Sequence, residues 1–186
     1  MILAGDIGGT NTRLALFDVE GGGPRHLTTY ESGAHEGLHH IVARFLETHP
    51  SELRSACFGI AGPIRDGRCA ATNLAWTVDA AELAGVLDLP VRLLNDLEAN
   101  AHGIASLDAE DFEVLNEGDP DARGNAAVIA AGTGLGEAGL YWDGEGHRPF
   151  ACEGGHVDFA PRTPIEVGLR DYLMANFGHA SYERVC

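Results

Sequence analysis

Lysine is missing from this chain: all twelve of its Lys and Arg positions are arginine. That excludes a Schiff base, a lysine general base and the lysine clamp of a Walker-type phosphate loop. GxxxxGK[ST] is absent, and the glycine-rich stretch Gly5 to Gly9 does not spell GxGxxG. Cysteine is sparse, and Cys57, Cys69, Cys152 and Cys186 show no CxxC spacing, so reduced structural thiols are expected rather than disulfides. Long hydrophobic runs are lacking as well. No segment approaches the ~20 apolar residues of a membrane-spanning helix, and no basic stretch followed by an apolar one opens the chain, so a cytoplasmic protein without a membrane partner is expected. Cations are few against 28 Asp and Glu, leaving a net charge of −16. A chain so acidic, with no concentrated basic patch, is repelled by nucleic acid and by anionic membrane surfaces.

What is present suits a packed domain. With 45% hydrophobic residues in 186, the chain can bury a substantial core, enough for one domain or one and a half. Gly5-Asp6-Ile7-Gly8-Gly9-Thr10-Asn11-Thr12-Arg13 is a glycine-rich turn between an apolar run from Met1 and an alternating run to Phe17. The pattern predicts strand, turn, strand. No helix follows, so the turn is unlike a dinucleotide or Walker loop, whose phosphate faces a helix N-terminus. His26 to Tyr30 reads as a third strand, and Leu38, Ile41, Val42, Phe45 and Leu46 as the apolar stripe of a helix ending before Pro50. Further strands are expected at Ala56 to Ala61, Arg68 to Thr72, Val91 to Leu94, Ala126 to Ala131 and Glu137 to Trp142. Helices are expected from the Asp79 cap to Leu87, over Leu97 to Leu107, and over Thr163 to Phe177 with Gly178 past its end. This alternation, with an antiparallel start, indicates a mixed α/β sheet.

A second glycine turn, Ala131-Gly132-Thr133-Gly134-Leu135-Gly136, again lies between strand-like runs. Each turn offers backbone N–H groups and a threonine hydroxyl to an anion, and glycine lets phosphate approach closely. Asp6 would repel phosphate directly, so a divalent cation or its waters would stand between them. Two ordinary tight hairpins are the plain alternative; the pairing of both turns with Asp6, Thr10 and Thr133 favours phosphate. Asp96 follows the apolar run Val91 to Leu94, at the strand end where ligands collect in α/β sheets. There it can take a proton from an attacking hydroxyl, with Asn95 hydrogen-bonding a neighbouring one, or it can simply cap the next helix. Glu153 and His156, separated by two glycines, offer the acceptors and donors that a polyol needs, or a loop histidine satisfied locally. Zinc at His156 and Asp158 lacks a cysteine or histidine partner at metal spacing.

Taken in order, the first turn, Ala61-Gly62-Pro63-Ile64, Thr72-Asn73-Leu74-Ala75-Trp76, Leu94-Asn95-Asp96, the second turn, Glu153-Gly154-Gly155-His156-Val157-Asp158-Phe159-Ala160-Pro161 and the closing Gly178 to Val185 resemble bacterial glucokinases. The resemblance runs along the whole chain. It implies a ribonuclease H-like (actin-like ATPase) fold, a mixed sheet with flanking helices, with an N-terminal subdomain over 1–107 and an incomplete second domain over 108–186. It implies ATP and Mg2+, glucose as acceptor, and a homodimer when full length. Asp96 would be the general base for the 6-hydroxyl; Asn95, Asp96, Glu153, His156, Glu183 and Asn73 would contact the sugar. Gly5, Asp6, Ile7, Gly8, Gly9 and Thr10 would meet the ATP phosphates, with Asp6 near Mg2+ through water. Gly132, Thr133, Gly134 and Gly136 would form the second phosphate turn. The related repressor, open-reading-frame and kinase group carries a cysteine-rich zinc cluster after its sugar-binding histidine. Here Val157 to Pro161 follows instead, so that zinc site is not expected. Glucokinases continue beyond the position of Cys186, so the chain is expected to be the N-terminal part of one. Two other classes stay open at this point: a sugar-binding regulator without catalysis, and an actin-like ATPase that binds protein.

Overall fold

Alternating apolar side chains in the first sixty residues build one sheet and aim its buried face at one helix. A computed structural model describes residues 1–71, 74–119, 121–132 and 134–186. Contacts divide the chain into two compact units, Met1–Ala99 and Asn100–Cys186.

In the first unit, β1 (Ile2–Ile7), β2 (Asn11–Phe17) and β3 (Arg25–Glu31) form an antiparallel meander. α1 (Leu38–Thr48) then crosses to β4 (Ser55–Ile60), which pairs parallel with β1. A two-residue ladder, β5 (Arg68–Cys69) with β6 (Val78–Asp79), precedes α2 (Ala80–Leu87). β7 (Val91–Asn95) pairs parallel with β4, giving the order β3-β2-β1-β4-β7. Leu3, Ile7, Leu14, Leu16, Phe58 and Ile60 from the sheet and Leu38, Ile41, Val42 and Phe45 from α1 form one buried core. The i, i+3, i+4, i+7 stripe thus does what its spacing predicts. Asp79 caps α2, accepting from Ala81 N at 2.8 Å and Glu82 N at 3.2 Å.

Two elements here differ from expectation. The strand expected over Arg68 to Thr72 pairs only through Cys69, and Thr72 lies outside the described residues. α3 (Asp96–Gly103) stops at Gly103, a poor helix former, and the chain tightens into a 3-10 turn over Ile104–Ser106 instead of running on to Leu107.

The second unit is a meander of β8 (Ala126–Ala131), β9 (Leu135–Trp142) and β10 (His147–Cys152), then a 3-10 turn at Gly154–His156, α4 (Pro164–Phe177) and α5 (Tyr182–Val185). β10 escaped the pattern reading because Arg148 and Pro149 break the alternation. It occupies a sheet edge, where a proline without an N–H is tolerated. α4 is a helix as expected, and positions 165, 169 and 173 share one of its faces, yet Ile165 is 85% exposed while Leu173 is buried. Thr163 and Glu166 form a capping box at its start, and Gly178 closes it in the left-handed region at φ 71°. Thr163→Ala is expected to destabilise the second unit by about 1 kcal/mol. Denaturant titration checks this, and an unmoved midpoint would remove the box from the stability of α4.

Candidate functional site

The carboxyl ends of β1, β4 and β7 lie in one row, Ile7 beside Ile60 beside Asn95. That edge gathers the first group of candidate residues. β1 runs on through Asp6 and Ile7, so the turn proper is Gly8, Gly9 and Thr10, closed by Gly8 N donating to Asn11 O at 2.9 Å. Gly5 and Ile7, expected among the phosphate residues, lie within β1. A Cβ on Gly5 would stand 2.6 Å from Phe58 Cδ1 and 2.8 Å from Leu14 Cδ2, and the Ile7 side chain is 1% exposed. Close packing leaves no room for a side chain at position 5. The N–H groups of Gly9 and Thr10 have no partner among the described residues.

Asp6 is exposed and meets Arg13 across the hairpin, Nη1 to Oδ2 at 3.2 Å. Such a solvent-facing pair contributes at most about 1 kcal/mol, so it yields readily to a stronger partner for Asp6. Beneath the turn lie Thr12 and Ser32, both buried. No pattern in the sequence marked Ser32; its signal is a polar residue directly after a strand that borders the glycine turn.

Asn95 and Asp96 divide the two roles considered for Asp96. The helix cap is Asn95, whose Oδ1 accepts from Leu97 N at 3.0 Å and Glu98 N at 3.3 Å, while its Nδ2 donates to Gly62 O at 3.3 Å. An amide has two donors and two acceptor lone pairs, so Asn95 retains one N–H for a ligand and no acceptor. Asp96 opens α3 and accepts from Leu97 N at 3.0 Å through Oδ1. Half-burial pushes its carboxyl above the usual aspartate value, and the Asp6 charge pushes the same way, against the Leu97 N–H, which stabilises the anion. Gly59 makes room for this helix: a Cβ there would lie 3.2 Å from Ala99 Cβ.

The second group is held within the second unit. Residues 157–159 pair with 180–182: Phe159 N donates to Ala180 O at 2.8 Å, Tyr182 N to Val157 O at 3.1 Å, and the Phe159 and Tyr182 rings meet edge-on at 5.5 Å. This brings Glu183, 27 positions beyond His156 in the chain, to the same place. His156 Nε2 stands 3.8 Å from Glu153 Oε2 and 3.9 Å from Glu183 Oε2. Glu183 also accepts from Leu135 N at 3.3 Å, and a Cβ on Gly134 would come within 2.6 Å of its Oε2. The second glycine turn therefore touches the carboxylate cluster. Gly132 N donates to Gly134 O at 2.8 Å, and Gly136 pairs with Ala130, one residue after the ladder begins with Leu135 opposite Ala131. Glu137, which the sequence reading passed over, packs where a Cβ on Gly154 would be. A carboxylate in a strand opposite a Gly-Gly pair was the available signal. Asn73 and Thr133 lie outside the described residues.

No group of three His, Cys, Asp or Glu able to hold a metal occurs among the described residues. Among the described residues, no helix is long and apolar enough to cross a membrane.

Comparison with known proteins gives a consistent picture. The model of the family described as glucokinase matches residues 3–186. A glucokinase of Synechocystis is 42% identical, the match covering 98% of this chain and 56% of that protein. Among solved structures, glucokinase from an Antarctic psychrotroph superposes with a TM-score of 0.80 at 32% identity, over 99% of this chain and 59% of that one. Glucokinase from Balamuthia mandrillaris, solved in complex with glucose, has a TM-score of 0.77 at 26% identity, over 99% of this chain and 58% of that one. The chain thus spans a little over half the length of the relatives it matches.

Proposed function

Because the chain belongs to the glucokinase family, we propose that the protein containing it transfers the γ-phosphoryl group of ATP to the 6-hydroxyl of glucose. The observation that carries this reading is the shared edge of β1, β4 and β7, where the turn Gly8 to Thr10, the Asp6 carboxylate and Asp96 occur together. A phosphoryl group is transferred mainly by positioning and charge neutralisation, so a kinase needs anion-binding N–H groups, a cation site and a base, and little else.

In this reading Asp96 accepts the proton of the attacking hydroxyl. Glu153 and Glu183 accept from sugar hydroxyls, His156 donates or accepts according to its tautomer, and Asn95 supplies its remaining N–H. Gly9 and Thr10 donate backbone N–H groups to phosphate oxygens, and Gly132 to Gly136 form the second phosphate turn. Asp6 is exposed and held only by the weak Arg13 pair. It suits Mg2+, which keeps several waters and relies on one or two carboxylates plus substrate phosphates rather than a protein cage. Mg2+ bound there would neutralise charge on the transferred group. Asn73, from the resemblance, remains a candidate sugar contact, and the N-terminal subdomain is placed over 1–107. Assembly as a homodimer and a cytoplasmic location complete the proposal.

The test is a coupled assay for glucose 6-phosphate with the full-length protein. Product that needs both ATP and glucose is expected. ATP hydrolysis unaffected by glucose would sink the reading in favour of a protein-binding ATPase. Glucose that raises the melting temperature without product formation would favour a sugar-binding regulator instead.

A further inference from the structure

We propose that Ser32 is a positioning residue for the first glycine turn, aiming the N–H of Gly9 at the anion the turn receives. This rests on the reading that Gly8 to Thr10 holds phosphate, and extends it to a residue outside the turn. Ser32 directly follows β3, and its side chain and that of Thr12 are 0% exposed. The Ser32 hydroxyl donates to Gly8 O at 2.7 Å. A hydroxyl has one proton, so in the 2.9 Å contact between Thr12 Oγ1 and Ser32 Oγ the donor is Thr12. The result is a buried relay from Thr12 to Ser32 to Gly8. The Ser32 N–H also donates to Thr10 O at 2.8 Å, so one residue secures both carbonyls that flank Gly9.

The consequence follows from peptide geometry. The Gly8 carbonyl and the Gly9 N–H are opposite ends of one planar trans peptide. Holding the oxygen on a buried hydroxyl points the hydrogen the other way, and that N–H has no partner among the described residues. A peptide between two glycines is otherwise the freest in the chain to rotate. Rotation would turn the Gly8 oxygen toward phosphate and exchange an attraction for a repulsion. The two hydroxyls satisfy each other as well, so a purely structural role would affect folding alone; the experiment must read the nucleotide separately.

Ser32→Ala is measured in the full-length protein by steady-state kinetics in both substrates. We expect kcat/KM for ATP to fall about tenfold, with KM for glucose changed less than about twofold. A folded Ser32→Ala protein with unaltered kcat/KM for ATP, or with equal losses toward ATP and glucose, overturns the proposal. If Ser32→Ala does not fold, Thr12→Val decides, since it nearly preserves volume and removes the hydroxyl that donates to Ser32. A loss of about threefold toward ATP, restored by Thr12→Ser, is then expected, and no loss overturns the proposal. Should the unaltered protein phosphorylate no glucose, the kinase reading fails by itself, and calorimetric titration with ATP still decides here. Weaker ATP binding by Ser32→Ala supports the role of Ser32, whereas equal binding, or none by either protein, overturns it.

Discussion

Replacing Asp96 with asparagine is expected to lower glucose phosphorylation by ~10²-fold or more while glucose still binds. The substitution leaves the geometry in place: an asparagine Oδ1 can accept from Leu97 N as Asp96 does at 3.0 Å, and the cap of α3 belongs to Asn95. What disappears is the basic oxygen. A coupled glucose 6-phosphate assay measures the first half of the expectation and calorimetry with glucose the second; near-normal turnover would remove Asp96 from the base role.

Two pH effects accompany it. A base works deprotonated, and the Asp96 carboxyl titrates above the usual aspartate value because of burial first and the Asp6 charge second. The acidic limb of kcat/KM should therefore lie above 3.8, activity being lost as pH falls through it. Stability runs the other way. The folded state holds this proton more tightly than the unfolded state does, so the charged form costs stability above the folded pKa. That cost is relieved as pH falls through the folded pKa toward 3.8. At neutral pH Asp96→Asn should consequently melt no lower than the parent, which separates a lost base from a damaged fold.

Gly155→Ala should weaken the glucose binding proposed for Glu153, His156 and Glu183. A Cβ at this buried position would fall onto the carbonyl oxygen of Leu135 and lie 3.1 Å from the Leu135 carbonyl carbon. That neighbour is backbone, fixed by the pairing of Leu135 with Ala131, so it cannot move as the end of a flexible side chain would. The 3-10 turn Gly154–His156 must shift instead and carry Glu153 and His156 away from Glu183. Overpacking of this kind costs about 1–3 kcal/mol, and loss of the three-residue geometry should weaken glucose binding by about tenfold or more. Parent-like affinity by calorimetry would show that the cluster tolerates the displacement and that Gly155 is not needed for it.

The elements that sequence reading captured are those whose period alone defines them. The α1 stripe from Leu38 to Leu46, the β1-β2 hairpin and the Asp79 cap each follow from local spacing, and each is present. β10 was hidden because an edge strand can hold Pro149 and need not alternate. Asn95 and Asp96 are one residue apart, and only the direction of the strand end decides which one caps the helix and which keeps a free oxygen. Gly5 and Gly8 look alike in a glycine-rich string. One sits against Phe58 and the other forms the turn, a distinction set by strand length. The resemblance named Glu183 but could not say what brings it to His156. The pairing of 157–159 with 180–182 does so, and pairing across that separation leaves no periodic trace.

The core of the first unit draws all its buried members from Leu3 to Leu93. A growing chain has thus made every residue of that core before the second glycine turn is synthesised, and at about 5–20 residues per second several seconds separate the two. β1, the central partner of both β2 and β4, is made before β4 and must wait for it before its second edge is covered. The Gly8–Thr10 turn is closed by Asn11 and held by Ser32, so it can take shape while Glu153, His156 and Glu183 are still untranslated.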